Sequence, residues 1–190
     1  MSAAGDETDA AFAAAAIAGD QQAFSKLMQR HKNALYQFVR RYVGDADEAF
    51  DLVQESFVAA WTALDSFDRR RPFSAWLRRI ALNKCRDWSR RRRVRQFFFG
   101  AVSLDRDVAS PSPDPERSAS AALAKLDEAI ARLPTALKEP LLLVVHGGLS
   151  HQDAGKALGI SAKSVETRIY RAKQTLRRVL DEGGSSTPSS

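Results

Sequence analysis

Apolar side chains recur along most of the chain at steps of three and four, the spacing of one helical face. Phe24, Leu27, Met28, Leu35, Phe38 and Val39 predict a long helix that Gly44 and Asp45 interrupt. A second helix is predicted over residues 46–64, with Phe50, Val53, Phe57, Val58, Trp61 and Leu64 as its buried stripe. Residues 65–71 read as a loop, and Pro72 suits the first turn of a third helix, because the missing N–H is unneeded there. That helix buries Phe73, Leu77, Ile80 and Trp88. Further on, an Ala/Leu helix ends at Pro134, another spans residues 135–145, and Gly147 and Gly148 break the run. Ser150 followed by Asp153 resembles a capping box opening a short helix to Leu158, which Gly159 stops. Ser161 caps a final helix whose buried stripe is Val165, Ile169, Ala172, Leu176 and Val179. Short helix, glycine turn and second helix together predict a helix-turn-helix. No segment alternates as a strand does, so the expected fold is all-α.

Composition divides this helical pattern in two. Between residues 96 and 118, Gly100, Pro111, Pro113 and Pro115 lie among serines and aspartates, which favours extended, solvated backbone. The predicted organisation is therefore an N-terminal tail or short helix (1–19), a helical domain (20–95), a flexible linker (96–118), a second helical domain (119–182) and a Gly/Ser/Thr/Pro tail (183–190). No internal repeat is apparent. The alanine-rich start, residues 10–18, lacks the positive flank of a signal peptide, since Asp6, Glu7 and Asp9 stand there instead. No apolar run approaches the ~20 residues of a membrane-spanning helix. A single cysteine, Cys85, forms no internal disulfide and fits a reducing compartment, so a cytoplasmic protein without membrane insertion is expected. Cys85 itself reads as a packed small hydrophobe.

Charge narrows the function. The 190 residues carry 29 Lys and Arg against 23 Asp and Glu, a net +6, which points to a polyanionic partner. In the third helix Arg79, Asn83, Arg86, Arg90 and Arg93 recur at steps of four and three and form one stripe, turned away from Phe73, Leu77 and Ile80. Few acids balance the run from Arg90 to Arg95, and such a track suits phosphates. Phe67, Phe73 and Trp76 flank a loop with Arg69, Arg70 and Arg71, and aromatics beside cations suit unpaired bases. Phe73 alone reads as core; Phe67 and Trp76 stay open between core and stacking platform. On the final helix, Lys163, Glu166, Thr167 and Tyr170 are candidates for base edges, with Gln174 on the same side. Arg171, Lys173, Arg177 and Arg178 read as phosphate clamps.

Taken in order, these motifs resemble the sigma-70 family of bacterial transcription initiation factors, of the small extracytoplasmic-function type. The run from Asp47 to Phe57 is similar to its region 2.1–2.2, and the runs 63–68 and 73–83 to regions 2.3–2.4. Leu149 to Ser161, then Ser164-Val165 and Arg171-Ala172-Lys173, resemble region 4.2. The resemblance implies a helix bearing Asp51, Gln54 and Glu55 that docks on the polymerase beta-prime coiled coil, a contact with the beta flap, and control by an anti-sigma factor. It implies a pocket for a flipped minus-ten base at Ala63, Phe67, Ile80 and Asn83, and minus-thirty-five readout by the last helix. The linker would thread through polymerase towards its RNA exit path. The chain departs from the usual pattern at Glu166, at Ala154-Gly155 and at Val144, which bears on minus-thirty-five contacts. Gly155 implies either a weak helix or unusually close packing.

Three other readings compete. A stand-alone helix-turn-helix regulator leaves the aromatic and arginine features of the first domain unexplained. A sigma-like mimic that binds an anti-sigma regulator would not need Arg90–Arg93. An enzyme has least support: Asp47, Asp51 and Glu55 share a helix face without a nearby histidine, and His31, His146 and His151 have no metal-like spacing. Neither metal nor cofactor is expected.

Overall fold

The computed structural model describes residues 3–99 and 115–184, and everything described is helix, turn or loop. The described residues form eight α-helices: α1 (Ala3–Ile17), α2 (Gln21–Val43), α3 (Ala46–Thr62), α4 (Phe73–Phe99), α5 (Pro115–Arg132), α6 (Thr135–Leu141), α7 (His151–Leu158) and α8 (Ala162–Gly184). A 3-10 turn, Leu64–Ser66, follows α3, and a π-helical turn, Leu142–His146, continues α6. Helix α4 runs to Phe99 and α5 starts at Pro115, so helix enters the expected linker from both ends. Its centre, 100–114, and the expected tail from residue 185 lie outside the described residues.

Helices α1 to α4 pack around α2, while α5, α6 and α7 pack on α8. Local chemistry sets the boundaries. The Asp20 side chain caps α2 by accepting from the N–H groups of Gln22 and Ala23, and Asp45 does the same for α3. Ser150 and Ser161 cap α7 and α8 by accepting from Asp153 and Ser164. Helix α1 has no strong apolar stripe; it is held by Ala13, Ala16 and the buried Asp9, which accepts from Arg30 and His31 at 2.7 Å each.

Two buried stripes differ from the sequence expectation. In α3 the packed face is Ala49, Leu52, Val53, Ser56, Phe57 and Ala60. Phe50, Val58 and Trp61 are 59%, 67% and 42% exposed. Small residues let α3 approach its neighbours closely, so the stripe carrying Ala and Ser turns inward and three large apolar residues are left outside. In α8 the buried stripe ends at Leu176, and Val179 is 44% exposed. The helix predicted over 135–145 is split, since α6 loosens after Pro140 into the π turn. A Cβ at Gly147 would stand 2.1 Å from the Leu143 carbonyl oxygen, so only glycine closes that turn.

Candidate nucleic-acid interface

Helix α4 is anchored by Phe73, Leu77, Ala81, Leu82, Cys85 and Trp88, all buried. Burial also pushes the Cys85 thiol well above its ordinary range, in keeping with a packed, unreactive side chain. Away from that face, Arg79, Asn83, Arg90 and Arg93 are exposed. Ile80 and Trp76 are half-buried at the helix edge. The arginines at the end of the helix are less isolated than expected: Arg90 pairs with Asp87 on the same helix, and Arg92 lies 5.2 Å over the Trp88 ring.

The loop before α4 is built on an aromatic cluster. The ring of Phe67 meets Phe73 at 5.4 Å, edge to face, and Trp76 at 5.2 Å. Phe73 and Trp76 lie 5.5 Å apart, and His31 touches Phe73 from α2. Phe67 is buried in this cluster, so at rest it braces the loop, whereas Trp76 keeps an accessible edge. Ala63, half-buried, caps the end of α3. In the loop itself Arg70 donates twice from its guanidinium and once from its backbone N–H to Asp68, which holds that carboxyl down at about 2, so the loop keeps its acid charged.

On α3, Asp51, Gln54 and Glu55 are exposed, and Glu55 makes a 3.4 Å pair with Lys84. The exposed Phe50, Val58 and Trp61 run beside them, so this face is apolar at its centre and acidic at its margin. Burial predicted from apolar spacing hid this surface; the signal that would have found it is the alternative stripe of Ala and Ser at the same period.

The last helix presents Lys163, Glu166, Thr167, Tyr170, Arg171, Gln174 and Arg178 to solvent. Lys163 donates to Glu166 at 2.9 Å, which lowers the Glu166 pKa, and Gln174 donates to the Tyr170 hydroxyl at 2.9 Å. Ser161, Lys163, Ser164, Thr167, Arg168 and Arg171 line an open groove at the start of the helix. The turn before it is tight: a Cβ on Gly155 would stand 2.6 Å from the Ile160 carbonyl oxygen. Close packing, the second of the two alternatives, therefore explains Gly155.

The two helical groups meet through a set of polar contacts that single-sequence patterns do not reveal. Arg86 donates to both carboxylate oxygens of Glu139 in α6, at 2.8 and 2.6 Å, and the Tyr42 hydroxyl donates to the same carboxylate at 3.3 Å. Burial, then the Glu139 charge, pushes the Tyr42 phenol well above its usual range. Lys138 donates to the Tyr42 carbonyl at 3.0 Å and to the Ala131 carbonyl, and burial pulls its pKa down to about 8. Arg41 pairs with Asp127 at 2.7 Å and donates to His146 Nδ1 at 2.9 Å. Arg78, 7% exposed, donates from Nη1 to the Gly147 carbonyl at 2.9 Å. The arginine stripe of α4 is thus not wholly solvent-facing: four of its members are exposed, and Arg86 is held by the second group.

Comparison with known proteins fixes the family. The family models for Sigma-70 region 2 and Sigma-70, region 4 match residues 27–95 and 123–176. The RNA polymerase sigma factor NccH of Alcaligenes xylosoxydans xylosoxydans is 46% identical over 90% of this chain and 94% of its own length. The chain belongs to the sigma-70 family. Its type is extracytoplasmic-function: the ECF RNA polymerase sigma factor SigW of Bacillus subtilis is 32% identical over 85% of this chain and 91% of its own. Among solved structures, CnrH in complex with the cytosolic domain of CnrY superposes with a TM-score of 0.68 at 37% identity, covering 92% of this chain and 98% of that one. The sigma factor RpoE of Bartonella quintana, in complex with the anti-sigma factor NepR, gives 0.68 at 27% identity, over 83% and 96%.

The region 2 match falls on α2 to α4 and the region 4 match on α5 to α8. Among the described residues no set of three His, Cys, Asp or Glu converges as metal ligands, and no helix is long and apolar enough to cross a membrane.

Proposed function

We propose that this sigma factor brings core RNA polymerase to its promoters by three separate surfaces of one chain. Units 20–95 and 119–182 act as distinct grips, joined by 96–118. Helix α3 docks on the beta-prime coiled coil through Asp51, Gln54 and Glu55, and the exposed Phe50, Val58 and Trp61 give that contact an apolar centre. The region 4 unit meets the beta flap.

Region 2 captures the minus-ten strand. Ala63, Phe67, Trp76, Ile80 and Asn83 form the place for an extruded base, and Arg79, Arg86, Arg90 and Arg93 follow the phosphates. Extrusion costs a few kcal/mol, which base capture and phosphate contacts must offset. Strand opening is then driven by binding energy; the chain is not an enzyme and uses no cofactor. Region 4 reads the minus-thirty-five duplex with Lys163, Glu166, Thr167, Tyr170 and Gln174 towards bases and Arg171 and Arg178 towards phosphates. Glu166 fits the amino group of a cytosine. The protein acts in the cytoplasm, under an anti-sigma factor that covers these faces.

The observation that carries this reading is the succession on one chain of an exposed apolar-acidic face on α3, an exposed cationic face on α4 and an exposed polar face on the second helix of a helix-turn-helix. A stand-alone regulator has no use for the first of these. Run-off transcription on a promoter library with purified core polymerase tests it: specific starts are expected with the protein and none without it. Promoter binding of equal strength and specificity without core would replace this reading with the stand-alone regulator.

A further inference from the structure

Arg86 sits on the stripe of Arg79, Asn83, Arg90 and Arg93, yet its guanidinium is already engaged by Glu139 of α6 through two parallel N–H to oxygen bonds. Two oxygens facing the planar guanidinium fork is also the geometry with which arginine holds a phosphate. Glu139 is buried and also accepts from the Tyr42 hydroxyl, so salt screens this pair less than it would an exposed one. The joint contains an opposing element in Arg78. Burial lowers its pKa, its Nη1 meets the neutral Gly147 carbonyl, and its Nε has no hydrogen-bond partner. A buried cation held by a neutral carbonyl disfavours closure and regains water when the joint opens. Arg41, by contrast, has the Asp127 carboxylate across the same joint.

Resting on the function proposed above, we propose that region 4 is a tethered competitor for the DNA-binding face of region 2: Glu139 occupies Arg86 in place of a backbone phosphate, and the docked chain is a closed form that opens before the minus-ten strand binds. Opening frees Arg86 and hydrates Arg78, which lies two turns earlier on α4, about 12 Å along the axis at 1.5 Å per residue. Closure and strand binding are then mutually exclusive at one guanidinium. The fraction of open chains scales the apparent affinity, and by linkage the strand shifts the open fraction in return.

The test uses the full chain with donor and acceptor dyes on Asn33→Cys and Gln152→Cys, both exposed, while buried Cys85 stays unlabelled. Arg171→Gln and Arg178→Gln in the background keep α8 from holding the probe, a fluorescein-tagged single-stranded DNA of mixed sequence. In the otherwise native chain, energy transfer is expected to fall as the oligonucleotide binds, with one midpoint for both signals. Glu139→Gln is expected to lower transfer without DNA and to tighten probe binding about fivefold or more, the inverse of the open fraction. Arg86→Gln opens the chain equally but binds more weakly than Glu139→Gln. Probe binding with unchanged transfer, or an open Glu139→Gln chain with native affinity or none, would overturn the proposal. If Glu139→Gln fails to fold, the DNA titration of the native sequence decides alone. Loss of run-off activity with these results intact removes the function and leaves the lock; unlinked opening with normal transcription does the reverse.

Discussion

Helices α4 and α8 are both basic, but they come by their free charges differently. On α8 side chains pair with neighbours three or four residues away, as Lys163 does with Glu166 and Tyr170 with Gln174. On α4 the decisive partners come from more than 50 residues further along the chain: Glu139 for Arg86 and Gly147 for Arg78. On the function proposed above, local pairing leaves α8 ready to meet a duplex as soon as it is folded. On the proposed lock, distant pairing makes the availability of α4 depend on where region 4 lies.

The largest separation between the two regions is expected from their cores. Phe73→Ala removes the fully buried ring beneath Phe67 and Trp76, and is expected to cost region 2 about 3–5 kcal/mol. Urea unfolding read by the fluorescence of the three tryptophans, Trp61, Trp76 and Trp88, checks this, and region 4 should keep its helicity at denaturant levels that melt the variant's first domain. Next, Gly155→Ala is expected to destabilise region 4 by about 1–3 kcal/mol, although alanine is the better helix former. The added methyl meets backbone at 2.6 Å, and a rise in the thermal midpoint would show that the α7–α8 turn yields.

The joint gives a pH test. Burial, and then the Arg41 charge, hold the His146 pKa below 6.5 while the domains are docked; once separated it returns towards 6.5. The docked form therefore binds fewer protons, so docking is fully present above pH 6.5 and is lost as the pH falls below it. Asp127 opposes the shift and Arg78 adds to it. Energy transfer across the joint is expected to fall in acid by up to tenfold in the docking constant per pH unit. His146→Gln should abolish that slope.

Smaller effects separate the DNA grips themselves. Changing Arg79, Arg90 or Arg93 to Gln is expected to reduce the salt slope of single-strand binding by about 0.7 each, since each phosphate contact releases counterions. Equal slopes for all variants would mean the exposed arginines never reach the strand. Glu166→Ala is expected to change preference at one minus-thirty-five base pair, by about 1–3 kcal/mol of discrimination, more than it changes total affinity. Competition binding on a set of single-base promoter variants reads this directly, and a uniform loss would contradict it.

Much of this molecule was legible from spacing. The all-α class, the helix-turn-helix, the serine caps of α7 and α8, the exposed face of α8 and most of that of α4 follow from local periodicity and end chemistry. The exceptions share a cause. Size and apolarity point Phe50, Val58 and Trp61 inward, while the choice of face is made by Ala49, Ser56 and Ala60, whose smallness matters only against a neighbouring helix. The joint residues Arg41, Tyr42, Arg78, Asp127, Lys138, Glu139 and His146 carry no local signature, because each needs a partner that only the tertiary fold brings near. A sequence period reports what one helix does with its own faces, and says little about which distant helix it meets.

The π turn at Leu142–His146 sets the rotational phase of everything after it. Removing one residue there, Val144 for example, would restore an ordinary helix and turn the following segment by about 100°. His146 would swing off Arg41 and the Gly147 oxygen off Arg78, while the helix-turn-helix beyond kept its own internal wiring. Such a shortened chain is expected to retain duplex readout and lose the closed state, because a single extra residue keeps the two halves in step.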